Sequence, residues 1–274
     1  MPTYRGRFAP SPTGDLHFGS LVAAAASYLD ARRAGGQWLV RIEDLDPPRT
    51  IPGAADRILR TLEAYGFVWD GPVLYQSQRH VAYAAALAQL GDQVYPCACT
   101  RSELGPGDFY PGTCRDGLAS GSQPRSRRLR VPDREIHWYD RRLGEQVENL
   151  AHTTGDFVLK RADGFWAYQL AVVVDDAEQL ITDVVRGADL LTSTVRQVYL
   201  QEVLGLPRPR YLHIPVVLDE NGEKLSKQTR AHPVPPNGDP RTLAAALHFL
   251  GEPIPSEAHE IAPLWARALT KPLT

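Results

Sequence analysis

At 274 residues the chain has room for one large or two modest domains, at roughly 150 residues per domain. With 43% hydrophobic and 23% charged residues and a net charge of −2, it is neither a disordered charged tail nor a polyanion binder over its whole surface. No apolar run approaches the roughly 18 residues of a membrane span and no signal-peptide core opens the chain; three cysteines, two in Cys97-Ala-Cys99, argue against a disulfide framework, so a cytoplasmic protein is expected.

Tyr4–Phe8 reads as a short strand. The loop Arg7-Phe-Ala-Pro-Ser-Pro-Thr-Gly-Asp-Leu-His-Phe-Gly-Ser20 follows. Leu16 to Ala34 is alanine-rich and stops at Gly35-Gly36, so it reads as a helix with a glycine stop. Gln37–Ile42 is a second strand. This β-loop-α-β unit presents a helix N-terminus to an anion. Gly19 admits close approach to the backbone, and His17 and Ser20 can donate hydrogen bonds to phosphate. The other reading of His17 is a helix cap. Gly14 and Gly19 have P-loop spacing, but Ser20 stands where that motif needs lysine. No dinucleotide-type glycine fingerprint occurs.

Arg41-Ile-Glu-Asp-Leu-Asp-Pro-Pro-Arg49 sits at the end of the second strand, the edge that faces the ligand crevice in open α/β sheets. Glu43 is placed to receive an ammonium group; alternatively Arg41 and Arg49 bridge a charged loop. Ala54–Tyr65 and Ser77–Leu90 are amphipathic helices separated by a turn. Gly, Pro, Cys and Arg then crowd residues 91–128.

Cys97, Cys99 and Cys114 supply three thiols in one loop-rich stretch, and structural zinc sites want four ligands with thiolate preferred. The fourth position is open to Tyr110, water or a residue distant in sequence; free thiols are the alternative. Arg125, Arg127, Arg128, Arg130 and Arg134 follow, then Arg141 and Arg142. Arg128 and Arg130, with Leu129 and Val131 between, fit a strand with one charged face, and the cluster serves either an RNA backbone or solvent. Asp156–Lys160 and Trp166–Val174 read as β-rich. Asp183–Leu191 and a helix Ser193–Leu204 come next.

An apolar run, Leu212–Leu218, leads through Asp219-Glu-Asn-Gly222 to Glu223-Lys-Leu-Ser-Lys-Gln228. Two lysines flanking Leu-Ser suit a polyphosphate clamp; a solvated basic turn is the alternative. A proline-rich connector and two short helices, Arg241–Leu250 and Pro263–Leu269, close the chain.

Taken together, His17-Phe-Gly-Ser20 and Lys224-Leu-Ser-Lys-Gln228 resemble the two signatures of the class I aminoacyl-tRNA synthetases. Arg7 to Gly14 and Arg41 to Asp46 look like the glutamyl branch, and the resemblance runs from about Thr3 to Gln228. It implies an α/β Rossmann-like class I catalytic core, 1–75 with 181–240. An inserted zinc-bearing α+β subdomain, 76–180, would split it, and 241–274 would form a helical tail. It implies His17, Gly19, Ser20, Lys224 and Lys227 as catalytic residues on ATP, with Mg²⁺ on the pyrophosphate. Arg7, Phe8, Ala9, Pro10, Ser11, Glu43, Tyr168 and Arg186 would hold glutamate. The enzymes of this branch that stop short of an anticodon domain carry a similar Cys-x-Cys…Tyr-x-x-x-Cys site, which implies zinc on Cys97, Cys99, Tyr110 and Cys114.

One departure stands out: Val172 occupies the place of an asparagine usual in the full-length glutamyl enzymes, four residues after the tyrosine. Another is the end at Thr274, before an anticodon-reading domain. The truncated branch therefore implies transfer of the glutamyl group to queuosine in the anticodon stem-loop of tRNA(Asp), by a monomer. Charging of a tRNA 3′ end, an idle RNA-binding paralogue and a nucleotidyltransferase of the same superfold are the other readings.

Overall fold

The computed structural model describes residues 3–104, 109–218, 232–254 and 259–270. In chain order the elements begin β1 (Arg5–Phe8), α1 (Phe18–Arg33), β2 (Gln37–Ile42), α2 (Ala54–Ala64), β3 (Leu74–Tyr75), α3 (His80–Gln89), β4 (Val94–Cys97) and α4 (Arg101–Leu104). They continue β5 (Ser126–Leu129), β6 (Ile136–Asp140), β7 (Gly144–Glu148), α5 (Leu150–Thr153), β8 (Phe157–Lys160), α6 (Tyr168–Glu178), β9 (Asp183–Gly187) and α7 (Leu191–Leu204). β10 (Arg210–Ile214), α8 (Pro240–Phe249) and α9 (Ile261–Leu269) complete the series. Two compact units result: Met1–Ser77 with Ile181–Asp189 and Pro209–Thr274, and Gln78–Leu180 with Leu190–Arg208. No helix among the described residues is long and apolar enough to cross a membrane.

The first unit is a parallel sheet. β1 pairs with β2, Arg7 opposite Leu39, and β2 pairs with β3. β9 pairs with β10, and the Thr182 N–H donates to the Arg5 carbonyl at 2.9 Å, which brings β9 beside β1. Parallel strands put all their carboxyl ends on one edge. α1 packs against β1 and β9 on one side and α8 on another. Its alanines are what allow this: Ala24, Ala25 and Ala31 are fully buried, and small side chains let helix and sheet approach. The helix stops where the sequence indicates. Gly35 takes φ +63°, and a Cβ on Gly36 would lie 2.4 Å from the Tyr4 carbonyl oxygen, so only glycine fits. Below α1, Trp38, Tyr28, Phe67 and Trp265 form one aromatic cluster with centroids 5.0–5.5 Å apart in the contacts Tyr28–Trp38, Trp38–Phe67 and Phe67–Trp265. Trp265 thereby fastens α9 to the core, its indole N–H donating to the Tyr65 carbonyl at 2.8 Å.

The second unit holds an antiparallel sheet, β4-β5-β8, and a β6–β7 hairpin. α3, α6 and α7 pack together. Here the sequence reading is corrected: Trp166–Val174 is not β-rich, because α6 begins at Tyr168. The run Val172-Val-Val174 favours strand by propensity, yet Gln169 through Val173 are all buried, so no polar face shows the helical period. The helix is fixed by its far end, where buried Asp175 accepts from the Tyr83 hydroxyl at 2.7 Å and from Arg79 at 3.1 Å.

Candidate functional site

The β1–α1 loop of the first unit delivers His17 to the N-cap of α1. Its Nδ1 accepts from the Ser20 N–H at 3.3 Å, so that nitrogen carries no proton. The imidazole therefore holds its proton on Nε2, which lies 2.9 Å from Ser20 Oγ. Capping, the modest reading of His17, is thus real, and its other ring nitrogen meets the Ser20 hydroxyl at the helix N-terminus. No acidic residue stands in the first turn of α1, which suits a helix end that meets an anion. The chain returns to this loop after the lysine motif: the Val234 N–H donates to the Leu16 carbonyl at 2.9 Å, and Pro233 bridges His17. Lys224 and Lys227 themselves lie outside the described residues.

Phe8 and Arg7 are buried in β1, Ala9 and Pro10 are half-buried, and Ser11 is exposed. The Pro10 carbonyl accepts from the Glu43 N–H at 3.0 Å, tying this loop to the end of β2. The charged stretch after β2 separates by role. Arg41, fully buried, pairs with Glu43 at 3.2 Å. Arg49 pairs with Asp46 at 2.7 Å, and Asp44 accepts from the N–H and hydroxyl of Ser77. Glu43 is thus held at the strand edge by a buried arginine. Arg186 is buried in β9 and donates through Nε to Nε2 of His213, a fully buried residue of β10, at 3.2 Å. Arginine has no acceptor, so His213 is unprotonated at Nε2. Arg7, Glu43 and Arg186 therefore share the first unit's parallel sheet. Tyr168, half-buried at the start of α6, belongs to the second unit, and Val172 is buried with no polar atom to offer.

The second unit holds the thiols. The Sγ atoms of Cys97, Cys99 and Cys114 lie within 4.8 Å of one another, and Cys99 and Cys114 are 3.5 Å apart. Zinc–sulfur bonds of about 2.3 Å in a tetrahedron require sulfurs about 3.8 Å apart, so the set fits zinc. The Tyr110 hydroxyl lies 3.5 Å from Cys97 Sγ and 3.9 Å from Cys99 Sγ, and accepts the Cys114 N–H at 2.9 Å. Burial works against a thiolate on Cys97, but hydrogen bonds from Tyr110 and the Arg128 guanidinium outweigh it and bring the thiol down to about 7. Cys99 is pushed up to about 11 by burial and by its bonds to Cys114 and Cys97. Burial also raises the Tyr110 hydroxyl.

Arg128 was read from sequence as part of a charged face. Instead it is buried, with Nε 3.3 Å from Cys97 Sγ, its terminal nitrogen donating to the Asp156 carbonyl at 2.7 Å, and its guanidinium 3.7 Å over the Tyr110 ring. Sequence reading also missed Gly155. It pairs with Tyr110, and a Cβ there would meet the Tyr110 carbonyl oxygen at 2.1 Å. The available signal was a glycine just after a short helix, the usual place for a left-handed residue. His213 gave no signal of its own.

The family of class I tRNA synthetases (E and Q), catalytic domain, matches residues 3–106 and 114–250. A glutamyl-Q tRNA(Asp) synthetase of Thiobacillus denitrificans is 60% identical over 267 residues, covering 94% of this chain and 89% of that protein. One from Chromobacterium violaceum is 55% identical over 275 residues, covering 97% and 92%. A glutamate tRNA ligase from Elizabethkingia meningosepticum, solved in complex with its amino acid, superposes with a TM-score of 0.72 at 32% identity over 82% of this chain. The match spans about half, 52%, of that ligase.

Proposed function

We propose a reaction for this chain from one premise: it belongs to the class I tRNA synthetase (E and Q) family and, within it, to the glutamyl-Q tRNA(Asp) synthetases. It activates glutamate with ATP and transfers the glutamyl group to queuosine in the anticodon loop of tRNA(Asp). The observation that carries the chemistry is the α1 N-terminus, free of acidic residues and capped by a neutral His17 with its proton on Nε2.

In the first step a glutamate α-carboxylate oxygen attacks the α-phosphorus of ATP in line. A P–O bond forms, the bond to the β,γ-phosphates breaks, and pyrophosphate leaves with the electron pair. His17, Gly19 and Ser20 meet the developing charge at the helix end, with Lys224 and Lys227 as counter-charges. Their support in the structure is the return of Pro233 and Val234 to Leu16 and His17. Mg²⁺, when bound, neutralises the pyrophosphate oxygens. Glu43 receives the substrate ammonium, and Arg186 forms the charge-assisted pair with a substrate carboxylate. Arg7, Phe8, Ala9, Pro10 and Ser11 complete the amino-acid site of the first unit. In the second step a hydroxyl oxygen of the queuosine diol attacks the acyl carbon, the bond from that carbon to the phosphate oxygen breaks, AMP leaves with the electron pair, and the hydroxyl proton passes to water.

We assign the activation chemistry to 1–75 with 181–240, and zinc to 76–180 through Cys97, Cys99, Tyr110 and Cys114. Zinc, when bound, would supply a cross-link between loops there. The enzyme works in the cytoplasm as a monomer.

Labelled glutamate and two tRNA(Asp) samples, with and without queuosine, test the acceptor. Label is expected only on the queuosine-containing RNA, and removal of the 3′ terminal adenosine leaves it in place. Equal labelling of queuosine-free tRNA, lost on trimming the 3′ end, would restore 3′-end charging.

A further inference from the structure

The arginines between Arg125 and Arg134 have different fates. Arg128 turns inward to Cys97, Arg130 donates to the Arg115 carbonyl at 2.7 Å, and Arg134 pairs with Glu202. Arg127 lines a groove of about 550 Å³ in the second unit. The groove floor comes from Ala84, Leu87 and Ala88 of α3 and from Val94 and Pro96 of β4; Lys160 and Trp166 complete the rim. None of the lining residues is acidic.

Arg127 and Lys160 face each other directly across the β5–β8 ladder. Like charges directly opposite on antiparallel strands destabilise the pair. Among the described residues no carboxylate relieves either one. Lys160 does not swing freely: its Nζ lies 4.6 Å from the Trp166 ring centre. That ring is fixed in turn, its N–H donating to His80 Nδ1 at 3.0 Å and its edge against Tyr83 at 5.9 Å. Two cations on facing strand positions, one of them held against Trp166, lie above a floor of small apolar side chains and form a site that gains stability when an anion arrives.

We propose that this groove is a docking site for the sugar–phosphate backbone of the RNA substrate. Arg127 and Lys160 take phosphate oxygens, and the alanine-rich wall takes the ribose faces. The indole face is occupied by Lys160, so the groove tracks backbone and does not stack bases. The inference rests on the reading of RNA as acceptor and narrows it to named residues.

Anisotropy of a labelled tRNA(Asp) anticodon stem-loop on the full chain, titrated against salt, tests it. Each phosphate contact contributes a slope of about 0.7–0.9 in log affinity against log salt, which at 0.1 M is roughly fivefold to eightfold in affinity. Arg127→Gln and Lys160→Gln are each expected to lose that much, and the double variant about twice the slope. Arg127→Lys keeps the charge and is expected to keep affinity and slope, which separates a contact from a folding effect. ATP–pyrophosphate exchange with glutamate stays at the wild-type level in all four variants. An unchanged affinity and slope in the double variant overturns the proposal. So does unchanged RNA binding alongside lost binding of a polyglutamate peptide. Failure of the broader reading would show separately, as absence of glutamyl transfer by the wild type.

Discussion

His17 joins two roles that one pair of substitutions can separate. As N-cap, its Nδ1 accepts the Ser20 N–H at 3.3 Å. Asparagine supplies an equally good cap acceptor, whereas alanine supplies none and costs about 1 kcal/mol. As catalyst, it acts through Nε2, which in this structure lies 2.9 Å from Ser20 Oγ. A shorter amide cannot reach that point. Loss of one preorganised donor to a developing oxyanion costs about 2.7–4 kcal/mol, or 10²- to 10³-fold in rate. His17→Asn is therefore expected to keep stability within about 0.5 kcal/mol of wild type while exchange falls at least about 10²-fold. His17→Ala is expected to lose both. Urea unfolding and glutamate-dependent ATP–pyrophosphate exchange on the same preparations give the two readouts. Wild-type exchange in His17→Asn would reduce the residue to a helix cap and refute the reasoning.

Lys227→Ala is expected to slow exchange about 10²-fold or more, as for any lost transition-state counter-charge; full activity would make the lysine motif only a turn. Arg186→Ala is expected to raise the KM for glutamate by about 10- to 100-fold, from loss of a charge-assisted hydrogen bond worth about 1.5–3 kcal/mol, with the KM for ATP unchanged. Unaltered glutamate kinetics would place Arg186 outside the pocket. Elemental analysis is expected to find about one zinc per chain, and Cys97→Ser to reduce both metal content and solubility; a variant with neither effect would mean free thiols.

Much of the first unit was legible because its signals are local. The strand Gln37–Ile42 appears where its sequence places it, and α1 is bounded by the cap and glycines that mark it. The thiols were legible because all three fall within one short stretch. What stayed hidden depends on partners distant in sequence. Arg128 looks like any charged strand residue until Cys97 and the Asp156 carbonyl come to it. Tyr168 looked like strand because Val172 to Val174 outweigh every local helix signal, and the reason for the helix lies in Arg79 and Tyr83. Likewise His213 matters only through Arg186, on the neighbouring strand.

Gly155 carries a consequence for the order of events during synthesis. All four candidate metal ligands have been translated once Cys114 emerges, but the backbone that seats Tyr110 includes the pairing with Gly155 and the Thr154 carbonyl, which accepts the Tyr110 N–H at 2.9 Å. At roughly 5–20 residues per second, the chain spends several seconds with its thiols complete and their scaffold unmade. In that interval Cys97 also lacks Asp156, whose carbonyl holds the Arg128 guanidinium beside it. With zinc as the proposed metal, the thiols are most open to oxidation and to other metals on the ribosome, and a culture limited for zinc is expected to accumulate its damage in new chains, leaving folded ones intact.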